Sequence, residues 1–461
     1  MAKAVITNRI KKQVIQSLVD DLDSSANNYY AVIGRSEVWN DSDVAPQAYN
    51  TGRQERQFRN AIQSAKNITD RSMVVPRHNW ASGAIYSAYD DAQVGYPSQA
   101  YYVINDNNQV YLCIQQAKTA AGSAKVSQNQ PQGNTTGAPF QTADGYIWRF
   151  LYSISALDAT KFVSANYMPV KLQGATDSDS PAADIEQLAV QNAAIKGQVI
   201  GYALDSGGEG YQSNPTVTIV GDGTKAKATA SIDGGQVKKV ELIDSSGSFT
   251  MGSGYTQAVL EFTGGGSFTK PAKGRVILAA NQSPLGLGGD PRDDLRATSI
   301  MFNSKPDGTE SGDFIVEQDF RQVGLLKNPK VDSDNGTAFS ESTGNGLYQL
   351  KRASTSTQFT KDNIILGGTS QAKAIIDRVD SDNGNLLWYH QTEETGFTPF
   401  SQGEAISETN GNGAGVLNNS ATFNVSPEFN PQTGELLYVA NRDAITRDAG
   451  QTEDIKIVIQ I

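Results

Sequence analysis

Short apolar runs separated by glycine-rich turns restrict the folds that this sequence can adopt. The pattern is clearest in "GYALDSGGEGYQSNPTVTIVGDGTKAKATASIDGGQVKKVEL", which runs from Gly201 to Leu242. Such runs are too short for most helices, and glycine favours the tight turns between antiparallel strands. The pattern also repeats, because "GEGYQSNPTVTI" from Gly208 returns as "GSGYTQAVLEF" from Gly252. The sequence therefore predicts a mainly β, multi-domain protein with a few short helices.

Length and composition agree with several β-rich domains. At 461 residues the chain exceeds one ordinary hydrophobic core, which favours about two to four domains. Hydrophobic residues make up 38% of the chain and glycine occupies 44 positions, a balance typical of β proteins with many turns. Apolar residues and tyrosines recur in strand-like runs, so the composition is not that of a disordered chain.

The charge of the chain argues against several classes of partner. The formal net charge is −11 and the isoelectric point is near 4.8, with no basic block to offset it. We therefore expect no binding to nucleic acid or to an anionic membrane. Neither a long apolar span nor a secretory signal is apparent, which predicts folding in a cytoplasm. The single cysteine, Cys113, lies in the apolar run "VYLCIQ" and is expected to be buried and structural.

Several segments predict individual helices and strands. The segment "RQFRNAIQSAKNI" predicts a second helix, "NDNN" between two apolar runs predicts a hairpin, and Asn383-Gly384 predicts another hairpin turn. Residues 29–33 predict a buried strand. Four residues spaced four apart predict the apolar face of an N-terminal helix: Ile10, Val14, Leu18 and Leu22. Four aromatic residues are predicted on one face of a later strand: Tyr146, Trp148, Phe150 and Tyr152.

Changes in composition predict the domain boundaries, with two glycine-rich β modules inserted between blocks of more ordinary core sequence. The terminal segment is predicted to end in a strand that places four isoleucines on one face: Ile455, Ile457, Ile459 and Ile461. The predicted segments are 1–173 (N-terminal domain), 174–197 (linker and short helix), 198–278 (first inserted β-meander module), 279–332 (second core segment), 333–424 (second inserted module) and 425–461 (C-terminal core strands).

No complete catalytic or metal-binding set is evident in the sequence. The many carboxylates predict a solvated acidic surface, since spacing in sequence does not give separation in space. A serine–histidine–aspartate site would need His78 or His390, and the sequence has no Gly-x-Ser-x-Gly elbow, so we expect structural or surface roles for both histidines. "DSDNG", at Asp332 and Asp380, resembles the start of a calcium loop but lacks the closing glutamate, which favours tight turns. We therefore expect no catalytic site, metal or cofactor.

The 18 tyrosines leave two interpretations open. Beside Asn, Gln and Gly on short strands they could form a carbohydrate-binding surface, on which aromatic faces stack against sugar rings. They could also fill β-sandwich cores and rims with their hydroxyl groups in water, and this second interpretation is preferred.

The stretch "IGRSEVWNDSDVAP" from Ile33 resembles the N-terminal signature of the baseplate wedge subunits of T4-type contractile-tailed bacteriophages, the family of the wedge protein numbered eight. Similar short motifs follow in the order expected for that family. The other motifs are "AVITNRIKKQ" before it and "VVPRHNW", "DGYIWRFLYSI", "DFRQVGLLKNP" and "GELLYVANRDAITRDAGQTEDIKIVIQI" after it. The resemblance covers roughly residues 1–172, 284–332 and 430–461, and the excess length falls in the two glycine-rich modules.

The resemblance implies a structural protein of the virion rather than an enzyme. Members of the family consist mainly of antiparallel, sandwich-like β domains, pair as homodimers within each wedge and bind neighbouring wedge proteins around the tail hub. The contacts of the two inserted modules cannot be transferred from the family, and contact with a host glycan stays open for them. A glycan-binding tail adhesin is the alternative function, and an enzyme such as a capsule depolymerase is third.

Arg35 and Trp39 are the first candidate interface residues, because they follow a buried strand within the family-like signature. A large apolar ring and a forked donor can be desolvated together, which makes this pair suitable as an anchor for protein contact. In the competing interpretation Trp39 packs under its own loop and Arg35 pairs with Glu37 or another acid. The motif "VVPRHNW" adds Arg77 and Trp80 to the expected interface.

Overall fold

A computed structural model describes residues 4–133, 135–279, 285–306, 312–314, 318–380, 385–448, 451 and 453–461. The fold is mainly β with antiparallel sheets, as predicted. The helices are α1 (Asn8–Asp23), α2 (Gly52–Asn60), α3 (Ala156–Phe162), α4 (Ala182–Asn192) and α5 (Pro291–Asp294). The first eight strands are β1 (Tyr29–Gly34), β2 (Ile62–Asn67), β3 (Asp70–Pro76), β4 (Tyr102–Ile104), β5 (Gln109–Gln115), β6 (Phe140–Gln141), β7 (Ile147–Ser153) and β8 (Tyr167–Pro169).

The remaining strands follow the last residue of α4. Those before residue 280 are β9 (Val199–Ser206), β10 (Thr216–Gly221), β11 (Thr224–Ala226), β12 (Thr229–Asp233), β13 (Gln236–Glu241), β14 (Met251–Ser253), β15 (Ala258–Thr263) and β16 (Lys273–Leu278). Those after it are β17 (Ser299–Ser304), β18 (Gln318–Lys327), β19 (Thr343–Asn345), β20 (Tyr348–Thr357), β21 (Ile364–Gly367), β22 (Lys373–Val379), β23 (Leu386–His390), β24 (Ala405–Glu408), β25 (Ala414–Leu417), β26 (Asn424–Val425), β27 (Glu435–Arg447) and β28 (Ile455–Gln460).

The chain divides into two compact units, each assembled from separated segments. Unit 1 comprises Met1–Ile15, Ser72–Met301 and Val458–Ile461, and unit 2 comprises Gln16–Arg71 and Phe302–Ile457. The predicted inserted modules fall one in each unit, and their boundaries stay predictions. No helix among the described residues is long and apolar enough to cross a membrane.

Unit 1 contains a four-stranded sheet of order β4-β5-β7-β6 and a second one of order β10-β15-β16-β9. The predicted hairpin is confirmed, because β4 and β5 pair across the turn at Asn108. The aromatic face of β7 is confirmed in part: Tyr146, Trp148 and Phe150 share one core cluster, but the residues between them are buried as well. Cys113 lies in the same cluster and is fully buried, as expected.

Unit 2 contains a five-stranded sheet and a barrel. The sheet has the order β19-β2-β1-β18-β27, and all six residues of β1 are buried, as the run of apolar residues predicted. The barrel is closed by pairing of β20 with β23 and has the order β20-β23-β22-β21-β24-β25. Its core contains Leu350, Ile365, Ile376 and Leu387, and its strands lie entirely within the predicted second module. Closure removes the exposed edges that an open sheet would present.

The predicted second helix is wrong over half of its length. Helix α2 ends at Asn60, and the segment that follows is strand β2. Strand β2 is hydrogen-bonded to β1 on one side and to β19 on the other, and its Ile62 and Ala65 pack in the core of unit 2. These tertiary contacts outweigh the local helical period.

The predicted face of the N-terminal helix is wrong in part, because Leu18 and Leu22 are half-buried but the first two predicted positions are not. Ile15 is the buried residue of α1, whereas Ile10 and Val14 are exposed. The reason lies in an ion pair, because the Lys12 ammonium group lies 2.5 Å from a carboxylate oxygen of Asp293 and 3.3 Å from one of Asp290. This contact turns the Lys12–Ile15 side of the helix toward the protein.

The terminal strand is confirmed, but its isoleucines are not equally buried. Ile457 is buried, Ile455 and Ile459 are half-buried, and Ile461 is exposed. Strands β22 and β23 pair antiparallel, as the second predicted hairpin requires, while its turn residues Asn383 and Gly384 lie outside the described residues.

Candidate protein-interface site

The candidate site begins where strand β1 ends, at the loop Arg35–Pro46, which we call the interface loop. Gly34 closes the strand in a place where a side chain would not fit, because a Cβ atom there would lie 2.5 Å from the carbonyl oxygen of Ala61. The next residue, Arg35, has φ of 63° and its N–H donates to the same carbonyl at 2.9 Å. The chain therefore leaves the sheet abruptly at this point.

One guanidinium group holds both ends of the interface loop. Arg321, from β18, donates to the two carboxylate oxygens of Asp43 at 2.6–3.0 Å and also to the carbonyl oxygen of Ser36. Its side chain is almost fully buried, and the forked bonds are of the kind that only arginine supplies. These hydrogen bonds lower the pKa of Asp43. Ser36 and Asp43 are therefore both held against strand β18.

A buried histidine supplies a second anchor. The His390 Nδ1 lies 2.6 Å from an oxygen of Asp377, and its Nε2 lies 3.2 Å from an oxygen of Glu37 in the interface loop. Burial alone would lower the pKa of His390, but the two carboxylates outweigh burial and raise it to about 10. Burial would likewise raise the pKa of Glu37, yet His390 and Arg35 lower it to about 2. The imidazolium thus ties the barrel to the loop.

The arrangement around His390 differs from that of a serine-hydrolase triad. In a catalytic triad the second ring nitrogen of the histidine faces a nucleophilic hydroxyl, whereas in His390 it faces the carboxylate of Glu37. The other histidine, His78, packs edge-on against Tyr102 in unit 1. Among the described residues, no three Asp, Glu, His or Cys side chains form a group that could hold a metal ion.

Arg35 and Trp39 lie together at the surface of unit 2. The guanidinium carbon of Arg35 lies 4.2 Å from the centroid of the Trp39 ring, and an Arg35 Nη donates to the carbonyl oxygen of Val38 at 3.3 Å. The indole N–H of Trp39 donates to the carbonyl oxygen of Arg442 at 2.8 Å. Both side chains stay partly exposed. The interpretation that Trp39 packs within its own chain describes its indole N–H, which binds a carbonyl oxygen of the same chain. The interpretation that Arg35 and Trp39 form an anchor describes the stacked pair, which reaches the surface.

The stacked pair lines an open cavity of about 340 Å³. Its other walls come from the end of the interface loop, from α2 and from the sheet, and include Pro46, Tyr49, Gln54 and Asn441. Tyr49 is 65% exposed, which is a large exposed fraction for an aromatic side chain. The Arg35 Nε is buried and has no hydrogen-bond partner among the described residues. The cavity therefore offers aromatic faces and amide groups to an incoming chain.

The other two predicted interface residues, Arg77 and Trp80, belong to unit 1. Arg77 donates to the side chain of Asn79 at 2.8 Å and to the carbonyl oxygen of Ser164 at 3.0 Å. The indole N–H of Trp80 donates to Ser127 Oγ at 3.1 Å, and its ring packs against the aromatic core of this unit. Both side chains are half-buried in contacts within the chain, and their interface role stays a prediction.

Sequence reasoning missed Arg321 and Asp377, which hold the loop directly or through His390, and Tyr49, which lines the cavity. A signal existed for two of them, since Arg321 and Asp377 are charged residues inside apolar strand sequences, "DFRQVGLL" and "AKAIIDRV". A charge in such a position must find a partner, because burying it alone is costly. The identity of that partner depends on strand order and could not be obtained from spacing along the chain.

Unit 1 contains a larger cavity, of about 500 Å³. It lies between strand β5 and the segment predicted as the first inserted module, and its walls include Gln99, Gln116, Tyr202, Lys239 and Glu241. Arg275 from the module forms ion pairs at 2.5 Å with Asp90 and at 3.0 Å with Asp91. They link strand β16 to Asp90, which also lines the cavity.

Comparison with known proteins does not assign the chain to a group. No protein-family model matches it, and no curated protein matches it either.

Proposed function

We propose that this chain is a structural component of the baseplate wedge of a contractile-tailed bacteriophage, where it links neighbouring wedge proteins around the tail hub. It is assembled in the host cytoplasm, acts as a homodimer in each wedge and is carried in the virion. The ordered resemblance of its motifs to the wedge family suggests this assignment. The mainly β fold is compatible with it.

The observation that carries the proposal is the Arg35–Trp39 pair beside the open cavity. Two buried charged groups, Arg321 and His390, hold the interface loop in place before any partner binds. A preorganised loop loses little conformational entropy on association, and Trp and Arg are the residues that most often dominate interface energetics. A rigid loop that presents this pair at the surface therefore suits a permanent structural contact.

The test is assembly of the wedge with the double variant Arg35→Ala/Trp39→Ala. We expect the variant to lose at least tenfold in co-sedimentation with co-expressed baseplate proteins, while its melting temperature falls by only a few degrees. Trp39→Phe, which keeps the ring face but removes the N–H, is the matched control and should assemble better than the double variant. Normal assembly together with a much lower melting temperature would show that Trp39 serves only the fold.

A second candidate, a glycan-binding tail adhesin, is favoured by the cavity of unit 1. Its amide groups, its tyrosine and its charges of both signs are the groups that can bind sugar hydroxyls and stack on a sugar ring. Saturation-transfer NMR with fragments of host surface polysaccharide tests this candidate. Saturation-transfer signals that disappear with Tyr202→Ala and persist with Trp39→Ala would favour the adhesin function over the structural role.

A further inference from the structure

Strand β27 forms one edge of the five-stranded sheet in unit 2. It is paired with β18 on one side and with no strand on the other in the part of the chain that the structure describes. Such an edge presents backbone N–H and C=O groups that can pair with another strand. Natural proteins usually protect long edge strands, so the way in which β27 is protected is informative.

The interface loop covers only the middle of β27, and the first half of the strand, Glu435–Ala440, is left uncovered by it. The indole N–H of Trp39 donates to the carbonyl oxygen of Arg442, the N–H of Ala45 donates to the side chain of Asp443 at 3.0 Å, and the Asn441 amide donates to the carbonyl oxygen of Pro46 at 3.0 Å. The interface loop thus lies along residues 441–443. None of these contacts reaches Glu435–Ala440.

The uncovered half of β27 is apolar. Residues 436–440 read Leu-Leu-Tyr-Val-Ala; Leu437 is exposed, and the other four are half-buried, with Leu436 and Val439 packed against the core of unit 2. The pairing with β18 shifts register at Leu437, which leaves this residue opposite no partner and 43% exposed. A bulge is one way to turn a side chain outward. The backbone groups of this edge can still pair with a strand of another chain, and Leu437 would then be covered.

Grooves flank this half of the strand. One, of about 500 Å³, lies between Leu436–Val439 and the segment Ala48–Glu55, and the other, of about 200 Å³, lies between β27 and the start of β28. Tyr438 lines both. Side chains of an added strand would point alternately to its two faces, so a groove on each side provides room for them.

We propose that Glu435–Ala440 binds an extended segment of another protein, which adds to the sheet as a sixth strand. The segment has apolar residues at alternate positions and a lysine or arginine near Glu435, whose exposed carboxylate lies at one end of the uncovered half. A second copy of this same edge fits less well, because Glu435–Ala440 contains no lysine or arginine that could pair with Glu435 of the first copy. The inference deepens the proposed function and rests on it, since the partner is another tail protein.

The test places a photo-crosslinking amino acid, benzoylphenylalanine, at position 437 of the full chain during particle assembly. Mass spectrometry of purified tails is expected to show crosslinks to one extended segment of a different tail protein. In parallel, Leu437→Asp and Glu435→Lys should each reduce incorporation into tails at least tenfold, with melting temperatures close to that of the original protein. Val259→Asp, at an apolar strand residue of unit 1 that is 55% exposed against 43% for Leu437, should incorporate normally.

The outcomes separate the two proposals. Crosslinks only to a second copy, or normal incorporation of both Leu437→Asp and Glu435→Lys, would overturn the strand-addition inference and leave the wedge function standing. Absence of the unmodified chain from purified tails would overturn the wedge function and, with it, the class of partner inferred here. Melting temperatures that fall by many degrees in both variants would show that this edge serves the fold of unit 2 and would also overturn the inference.

Discussion

The imidazole Nδ1 of His390 lies 2.6 Å from a carboxylate oxygen of Asp377, and the two side chains are only 2% and 0% exposed. Asp377 comes from β22 and His390 from β23, so the pair lies between neighbouring strands of the barrel. The other ring nitrogen reaches Glu37 in the interface loop. One buried imidazolium therefore pairs with two carboxylates that are far apart in sequence.

The first prediction concerns the pH dependence of the stability of unit 2. The pKa of His390 is raised from 6.5 to about 10, so its stabilising effect is complete below pH 6.5 and disappears as the pH rises through 10. The pKa of Glu37 is lowered from 4.5 to about 2, so its contribution is present above pH 4.5 and disappears as the pH falls through 2. We expect the free energy of unfolding to be highest between these limits. Urea unfolding at pH 5.5, 8 and 9.5 measures this free energy, and hydrogen exchange in β22 and β23 reports on it locally. Equal stability at all three pH values would contradict the prediction.

The second prediction is that His390→Gln destabilises unit 2 strongly. The change removes the buried cation that lies between Asp377 and Glu37, and breaking a buried ion pair in this way costs about 3–5 kcal/mol. His78→Gln is the control, because burial lowers the pKa of His78 and its ring contacts Tyr102 rather than a carboxylate. Denaturant titration should show a change below about 1 kcal/mol for the control. An equal decrease in the free energy of unfolding in the two variants would contradict a special role of His390.

The third prediction concerns Arg321, which holds the interface loop. Arg321→Lys keeps the charge but replaces three guanidinium nitrogens with one ammonium nitrogen, which cannot reproduce the forked bonds to Asp43 and the bond to Ser36, so we expect faster hydrogen exchange of the amides of residues 36–46 and weaker assembly. Asp43→Asn should give a milder effect of the same kind, because an amide oxygen can still accept one of the bonds. Unchanged exchange in Arg321→Lys would mean that the loop is held by other contacts.

The fourth prediction concerns the glycine that ends β1. Gly34→Ala would place a Cβ atom 2.5 Å from the carbonyl oxygen of Ala61, and relieving this clash should cost about 1–3 kcal/mol through displacement of β2. Gly174→Ala is the matched control, since nothing lies within 4 Å of a Cβ atom at that position. The melting temperature of Gly34→Ala should be several degrees lower than that of Gly174→Ala. Equal melting temperatures would contradict the close approach of the strands.

Local sequence was sufficient for features that depend on a few neighbouring residues. The fold class followed from short apolar runs and glycine turns, strand β1 followed from five consecutive strand-forming residues, and the first hairpin followed from "NDNN". In each case the residues that determine the structure lie within a few positions of one another. The hypothesis that Arg35 and Trp39 act together also came from local spacing, and the structure brings them together.

Tertiary structure alone decided the features that depend on partners distant in sequence. Strand pairing turned residues 62–67 from a predicted helix into β2, and an ion pair with Asp293 selected the buried face of α1. The contact of His390 with Glu37 spans 353 positions, and that of Arg321 with Asp43 spans 278. Burial makes such charges depend on a partner, and the order of strands in the sheet and barrel determines which partner lies within reach.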